Sequence, residues 1–110
     1  MARLRRNTPR TPSQSIAIID DDPGLADSMR ALLVRDGHDV SVATHPREGI
    51  ELVRDRRPQL VLLDYLMPEM TGADVVRAIR EFDPMVQILL VTGYAEEQPG
   101  RKLLASTLAI

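Results

Sequence analysis

The chain has 110 residues, room for one small domain. Apolar residues make up 44%, yet there is one Phe, two Tyr and no Trp, so any core must be aliphatic; the absence of cysteine excludes disulfides, thiolate zinc sites and thiol nucleophiles and fits a reducing compartment. The net charge of –2 hides an asymmetry: residues 1–19 carry Arg3, Arg5, Arg6 and Arg10 with no acid, which leaves the remainder at –6 and argues against direct nucleic-acid binding by the domain's own surface.

Residues 1–14, MARLRRNTPRTPSQ, are too polar to pack and are read as a disordered, solvated basic arm. The arm lacks the apolar stretch of a secretory signal, and no apolar run approaches the ~18 residues of a membrane span. The expected location is the cytoplasm, without membrane contact. Residues 15–110 form the expected domain.

SIAII, 15–19, is a short β-branched run that reads as a buried strand ending at Asp20-Asp21-Asp22. Asp22 then caps a helix whose first residue is Pro23; Leu25, Met29, Leu32 and Leu33 fall at helical spacing, and Gly37 closes it. DVSVA, 39–43, alternates as a second strand. HPREGIELVRDRRP, 45–58, predicts a second helix stopped by Pro58, with RDRR a solvated helix end. QLVLLD, 59–64, is a third buried strand; GADVVRAIREFDP, 72–84, a third helix; VQILLV, 86–91, a fourth strand ending at Thr92. Residues 99–110, PGRKLLASTLAI, have the spacing of a fourth helix.

Alternating βαβα order with short links predicts a parallel, doubly wound α/β sheet with helices on both faces. The carboxyl ends of its strands share one edge, where ligands of such sheets bind. Three of the four strands end there in a polar group: the Asp20–Asp22 run, Asp64 and Thr92. Carboxylates crowded together repel one another, and a hard divalent cation relieves this; Mg²⁺ favours oxygen ligands and pairs carboxylates with phosphate. Asp20, Asp21 and Asp64 are therefore candidates for a Mg²⁺ site with phosphoryl chemistry, whereas Asp22 is a cap. His38 and His45, at the ends of elements, read as surface or capping residues, and Met67 and Met70 as loop packing.

Three segments carry a family resemblance: IAIIDDDP (16–23), LVLLDYLMPEMTG (60–72) and ILLVTGYA (88–95). Together they resemble the receiver domain of two-component response regulators, of the chemotaxis-regulator type. The resemblance implies a flavodoxin-like fold. It implies that Asp64 accepts a phosphoryl group from a histidine kinase, with the chain acting as a phosphorelay component rather than an enzyme. It implies Asp21 as a direct Mg²⁺ ligand, Asp20 acting mainly through water, and the backbone carbonyl of Leu66 as a further ligand. Pro68 and Gly72 would shape the loop, and the Thr92 hydroxyl would bond a phosphoryl oxygen. Leu66 and Tyr94, beside the expected phosphoryl group, would hinder water attack on an acyl phosphate.

The family's lysine at the end of a fifth strand would fall beyond Ile110, and Lys102 lacks the strand-end context. The sequence thus reads as a receiver truncated at its carboxyl end, with four strands and without the fifth strand and last helix. VQILLV would then be a bare sheet edge, open to pairing with a second copy as a homodimer. The alternative is a degenerate receiver serving only as an interaction module without phosphotransfer. A third reading, a Mg²⁺-dependent phosphohydrolase on a similar sheet, is less favoured because that chemistry usually needs a general acid beside the nucleophile.

Overall fold

The structure is a computed structural model and describes residues 12–92 and 106–109. Most of the basic arm, Tyr94, Lys102 and the greater part of the helix expected over 99–110 lie outside the described residues.

The elements run β1 (Ser15–Ile19), α1 (Pro23–Arg35), β2 (Asp39–Ala43), α2 (Pro46–Arg56), β3 (Leu60–Asp64), α3 (Gly72–Phe82), β4 (Gln87–Thr92) and β5 (Ser106–Ala109). The first four strands are parallel, and the sheet order is β2-β1-β3-β4-β5. This is the doubly wound arrangement expected, with β1 and β3 central.

The helices begin and end where local chemistry dictates. The Asp22 side chain accepts from the Leu25 amide at 3.1 Å and Pro23 opens α1. Gly37, at φ 95°, takes the left-handed turn beyond the end of that helix. At α3, Thr71 Oγ1 accepts from the Asp74 amide and Asp74 Oδ2 accepts from the Thr71 amide, both at 3.2 Å, a reciprocal cap. The same bond from the Thr71 amide, ahead of those to the Thr71 hydroxyl and Arg77, holds the Asp74 carboxyl below its ordinary range.

Strand alternation divides the core in two. Ala17, Ile19, Val61, Leu63, Ile88 and Leu90 pack beneath α2 and α3 through Val53, Val75 and Ile79. Ile16 and Ile18 face the other way, against Ala26, Met29 and Leu33 of α1. The core is aliphatic, as the composition requires. Phe82, the chain's one phenylalanine, is only half-buried and lies under the guanidinium groups of Arg54 and Arg57, 4.8 and 5.4 Å from its ring centre. The RDRR segment is thus a clamp joining the ends of α2 and α3 as well as a solvated helix end.

One expectation fails at the carboxyl end. β4 is not a sheet edge: Ser106–Ala109 pairs with it antiparallel, Thr92 opposite Ser106 and Leu89 opposite Ala109. The unpaired backbone groups of an apolar strand recruit the next segment able to extend, and here the chain itself supplies it. The helix expected over 99–110 therefore gives way to strand at 106–109, and homodimer formation through a bare β4 edge loses its basis. Because β5 runs antiparallel, it is not the parallel fifth strand of the family pattern.

Candidate functional site

The site is built by strand register. Ile19 of β1 pairs with Leu63 of β3, so the next residue of each strand, Asp20 and Asp64, stands side by side at the carboxyl edge of the sheet. Backbone bonds continue past the strand ends and fix both positions: the Asp20 amide donates to the Ala43 carbonyl at 3.1 Å, and the Tyr65 amide to that of Val91 at 2.9 Å. Asp20 and Asp64 are 4% and 3% exposed. With the half-buried Asp21, each offers a carboxylate oxygen, all within 4.8 Å of one another.

Asp20 Oδ1 accepts from the Asp22 amide at 2.9 Å, which turns the chain into α1. Asp64 Oδ1 accepts from the Leu66 amide at 3.3 Å, so the residue after next orients the carboxylate. The loop that follows closes on itself through a Leu66–Thr71 bridge and a 2.9 Å bond from the Gly72 amide to the Tyr65 carbonyl. Met67 is buried and joins the core; Met70 packs against it, so both are loop anchors as expected.

Gly72 is required by contact rather than by backbone angle. A Cβ there would sit 2.8 Å from Leu90 Cδ1 and 3.0 Å from Tyr65 Cα. Since backbone cannot give way as a side-chain tip can, Gly72→Ala is expected to destabilise the domain by about 1–3 kcal/mol. The displacement would start at Tyr65, beside Asp64, and the measurement is urea denaturation of the two proteins.

Thr92 ends β4 one residue beyond Val91, the cross-strand partner of Asp64, so its backbone reaches the same edge; its side chain lies outside the described residues. Leu66 is 61% exposed beside the acids. The histidines are structural: His38 Nδ1 accepts from the Gln14 amide at 3.1 Å. His45 precedes α2 and makes no side-chain cap, but its Nε2 lies 3.0 Å from Glu69 Oε2, tying the β2–α2 turn to the loop after Asp64. That tie spans 24 residues of sequence and has no local signal.

The donor set suits a hard cation. It is all carboxylate oxygen, with neither histidine nor cysteine in the cluster. Two of the three carboxylates are buried, and a divalent cation would offset the repulsion among them.

Comparison with known families matches residues 16–108 to the response regulator receiver domain. The chain belongs to that family. The receiver is similar to the DNA-binding response regulator MtrA of Mycolicibacterium smegmatis, with 40% identity over 82 residues, 74% of this chain and 36% of that protein. It is similar also to the transcriptional regulatory protein AfsQ1 of Streptomyces coelicolor, with 37% identity over 69% of this chain and 34% of that protein. The receiver spans about a third of the length of these curated relatives. Among solved structures, a CheY-like receiver domain protein from Methanospirillum hungatei superposes with a TM-score of 0.71 at 30% identity, covering 76% of this chain and 67% of that one. No described helix is long and apolar enough to cross a membrane.

Proposed function

We propose that this receiver binds Mg²⁺ at Asp20, Asp21 and Asp64 and accepts a phosphoryl group on Asp64 from the phosphohistidine of a histidine kinase. The observation that carries the proposal is the meeting of three carboxylates within 4.8 Å, two of them buried at the sheet edge. A receiver kept only as an interaction module would have no use for buried charges that cost several kcal/mol to desolvate. A surface contact could use the same fold with neutral residues there.

In the proposed reaction a carboxylate oxygen of Asp64 attacks phosphorus, the P–N bond to the donor imidazole breaks, and the imidazole leaves with the bonding pair. The chain's part is positioning. The β3 backbone and the Leu66 amide fix the nucleophile, and burial excludes competing water. Bound Mg²⁺ would neutralise the acids and the incoming phosphoryl oxygens, held by Asp21 directly, by Asp20 through water and by the Leu66 carbonyl. The Thr92 hydroxyl is proposed to bond a phosphoryl oxygen after transfer. The domain then acts through protein contacts as a signalling module.

Intact mass after incubation with acetyl phosphate tests the reading. The wild type is expected to gain one phosphoryl group with Mg²⁺ and none with EDTA, and Asp64→Asn none in either. Uptake by a folded protein that ignores Mg²⁺, or that survives Asp64→Asn, contradicts it.

The exposed Leu66 side chain suggests a second outcome. An apolar group beside the acyl phosphate deprives an attacking water of hydrogen-bond partners. Leu66→Asn is expected to shorten the phosphoryl lifetime several-fold without lowering the extent of initial uptake. Equal decay rates for the two proteins, followed by mass after removal of acetyl phosphate, would contradict this.

A further inference from the structure

The turn from β2 into α2, Ala43 to Pro46, touches both segments that carry the acids. On one side the Ala43 carbonyl accepts from the Asp20 amide at 3.1 Å. On the other, His45 Nε2 lies 3.0 Å from Glu69 Oε2, on the loop between Asp64 and α3. A carboxylate only accepts, so the imidazole donates. His45 stands at the N-cap of α2, where an oxygen-bearing side chain is favoured, yet its ring caps nothing there. The ring is turned instead to the loop.

The turn is a firm support. Pro46 is fully buried and opens α2. Gly49, one turn on, lies directly against Ile19, the residue before Asp20: a Cβ there would stand 2.7 Å from two carbons of the Ile19 side chain. Ile19 is itself fully buried, so the first turn of α2 is seated on the end of β1 with no room for a methyl group. His45 therefore reaches out from a base fixed to the strand that carries Asp20.

The loop's own bonds lie near its ends. Asp64 Oδ1 accepts from the Leu66 amide, the Tyr65 carbonyl accepts from the Gly72 amide, and Leu66 bridges to Thr71. Pro68 and Glu69 are exposed at its tip, where His45 takes hold. Because the Leu66–Thr71 bridge closes the loop, a displaced tip pulls on Leu66, two residues past Asp64. We propose that His45 and Glu69 are positioning residues for the metal site: their bond sets the loop of residues 65–71 at a fixed distance from Asp20 and so holds Leu66 beside the acids before Mg²⁺ arrives. The proposal rests on the reading of Asp20, Asp21 and Asp64 as the Mg²⁺ site. A contact that orients a ligand-bearing segment raises affinity by lessening what must be ordered on binding. Both partners are half-exposed, which keeps the effect modest.

Calorimetric titration of the folded full chain with Mg²⁺ tests this. His45→Ala is expected to weaken Mg²⁺ binding about two- to fivefold and to add nothing to the loss caused by Glu69→Ala. His45→Gln, whose amide still donates to Glu69, is expected to keep most of the wild-type affinity. Charge alone predicts otherwise, since an imidazole is neutral or positive and its removal cannot weaken a cation site by electrostatics. A role in stability alone would lower the melting temperature and leave the affinity of the folded protein unchanged. In metal-free protein the Leu66 amide is expected to exchange faster in His45→Ala than in the wild type, with the central-strand amides of Ile18 and Leu62 unchanged. Equal Mg²⁺ affinity in wild type and His45→Ala, or a further loss when His45→Ala is added to Glu69→Ala, overturns the proposal and leaves the metal site standing. A folded wild type that binds no Mg²⁺ overturns both.

Discussion

Asp64→Asn is expected to raise the melting temperature of the metal-free receiver and to abolish the rise that Mg²⁺ gives the wild type. Asp20, Asp21 and Asp64 offer oxygens within 4.8 Å of one another, and two of the three side chains are buried. At an effective dielectric constant near 20, two like charges ~5 Å apart repel by about 3 kcal/mol. Asparagine keeps the shape of the side chain and an oxygen able to accept from the Leu66 amide, while removing the charge that enters two of the three pairs. Allowing for solvent screening at Asp21, a gain of about 1–3 kcal/mol is expected, or several degrees in melting temperature for a domain of this size. Wild-type protein should recover a comparable stabilisation from Mg²⁺ by mass action. Thermal melts of both proteins, with Mg²⁺ and with EDTA, check this. A variant that melts lower without metal, or that responds to Mg²⁺ as the wild type does, contradicts the picture of three mutually repelling ligands.

Ile79→Ala is expected to lower stability by about 2–5 kcal/mol, a large share of the ~5–15 kcal/mol that holds a domain together. Ile79 is fully buried on α3 and belongs to the cluster that includes Val61, Leu63 and Ile88. The residues around it in that cluster, Val61, Leu63, Val75 and Ile88, are themselves fully buried and already packed. β-Branched neighbours on a hydrogen-bonded sheet also relax little. Urea denaturation followed by circular dichroism measures the loss; a change below about 1 kcal/mol would mean that the core collapses around the gap far more readily than close packing allows.

The parallel sheet and three helices were legible because each rests on local signals. Four apolar runs, the cap at Asp22, Pro23 opening α1, and Gly37 beyond its end locate most boundaries, whereas α2, expected over 45–58, runs from Pro46 to Arg56. The acids were legible too, since a carboxylate directly after a buried strand has few structural uses and parallel topology gathers such strand ends on one edge. What escaped is nonlocal. Leu-Leu-Ala-Ser-Thr-Leu-Ala has helical spacing, and its last residues become β5 only because β4 offers an unpaired edge. The ring of Phe82 finds Arg54 and Arg57 across the space between two helices, and His45 meets Glu69 across two loops. None of these contacts leaves a period or a spacing in the sequence.

The central claim is that the buried carboxylate ending β3 is the phosphoryl acceptor. Its most direct test is the position of the modification. After reaction with acetyl phosphate and Mg²⁺, borohydride reduces an aspartyl phosphate to homoserine, which peptide mass mapping then locates. Homoserine at residue 64 and at no other aspartate is the predicted result. Modification of Asp20 or Asp21, of His38 or His45, or of no residue in a folded protein would contradict the account.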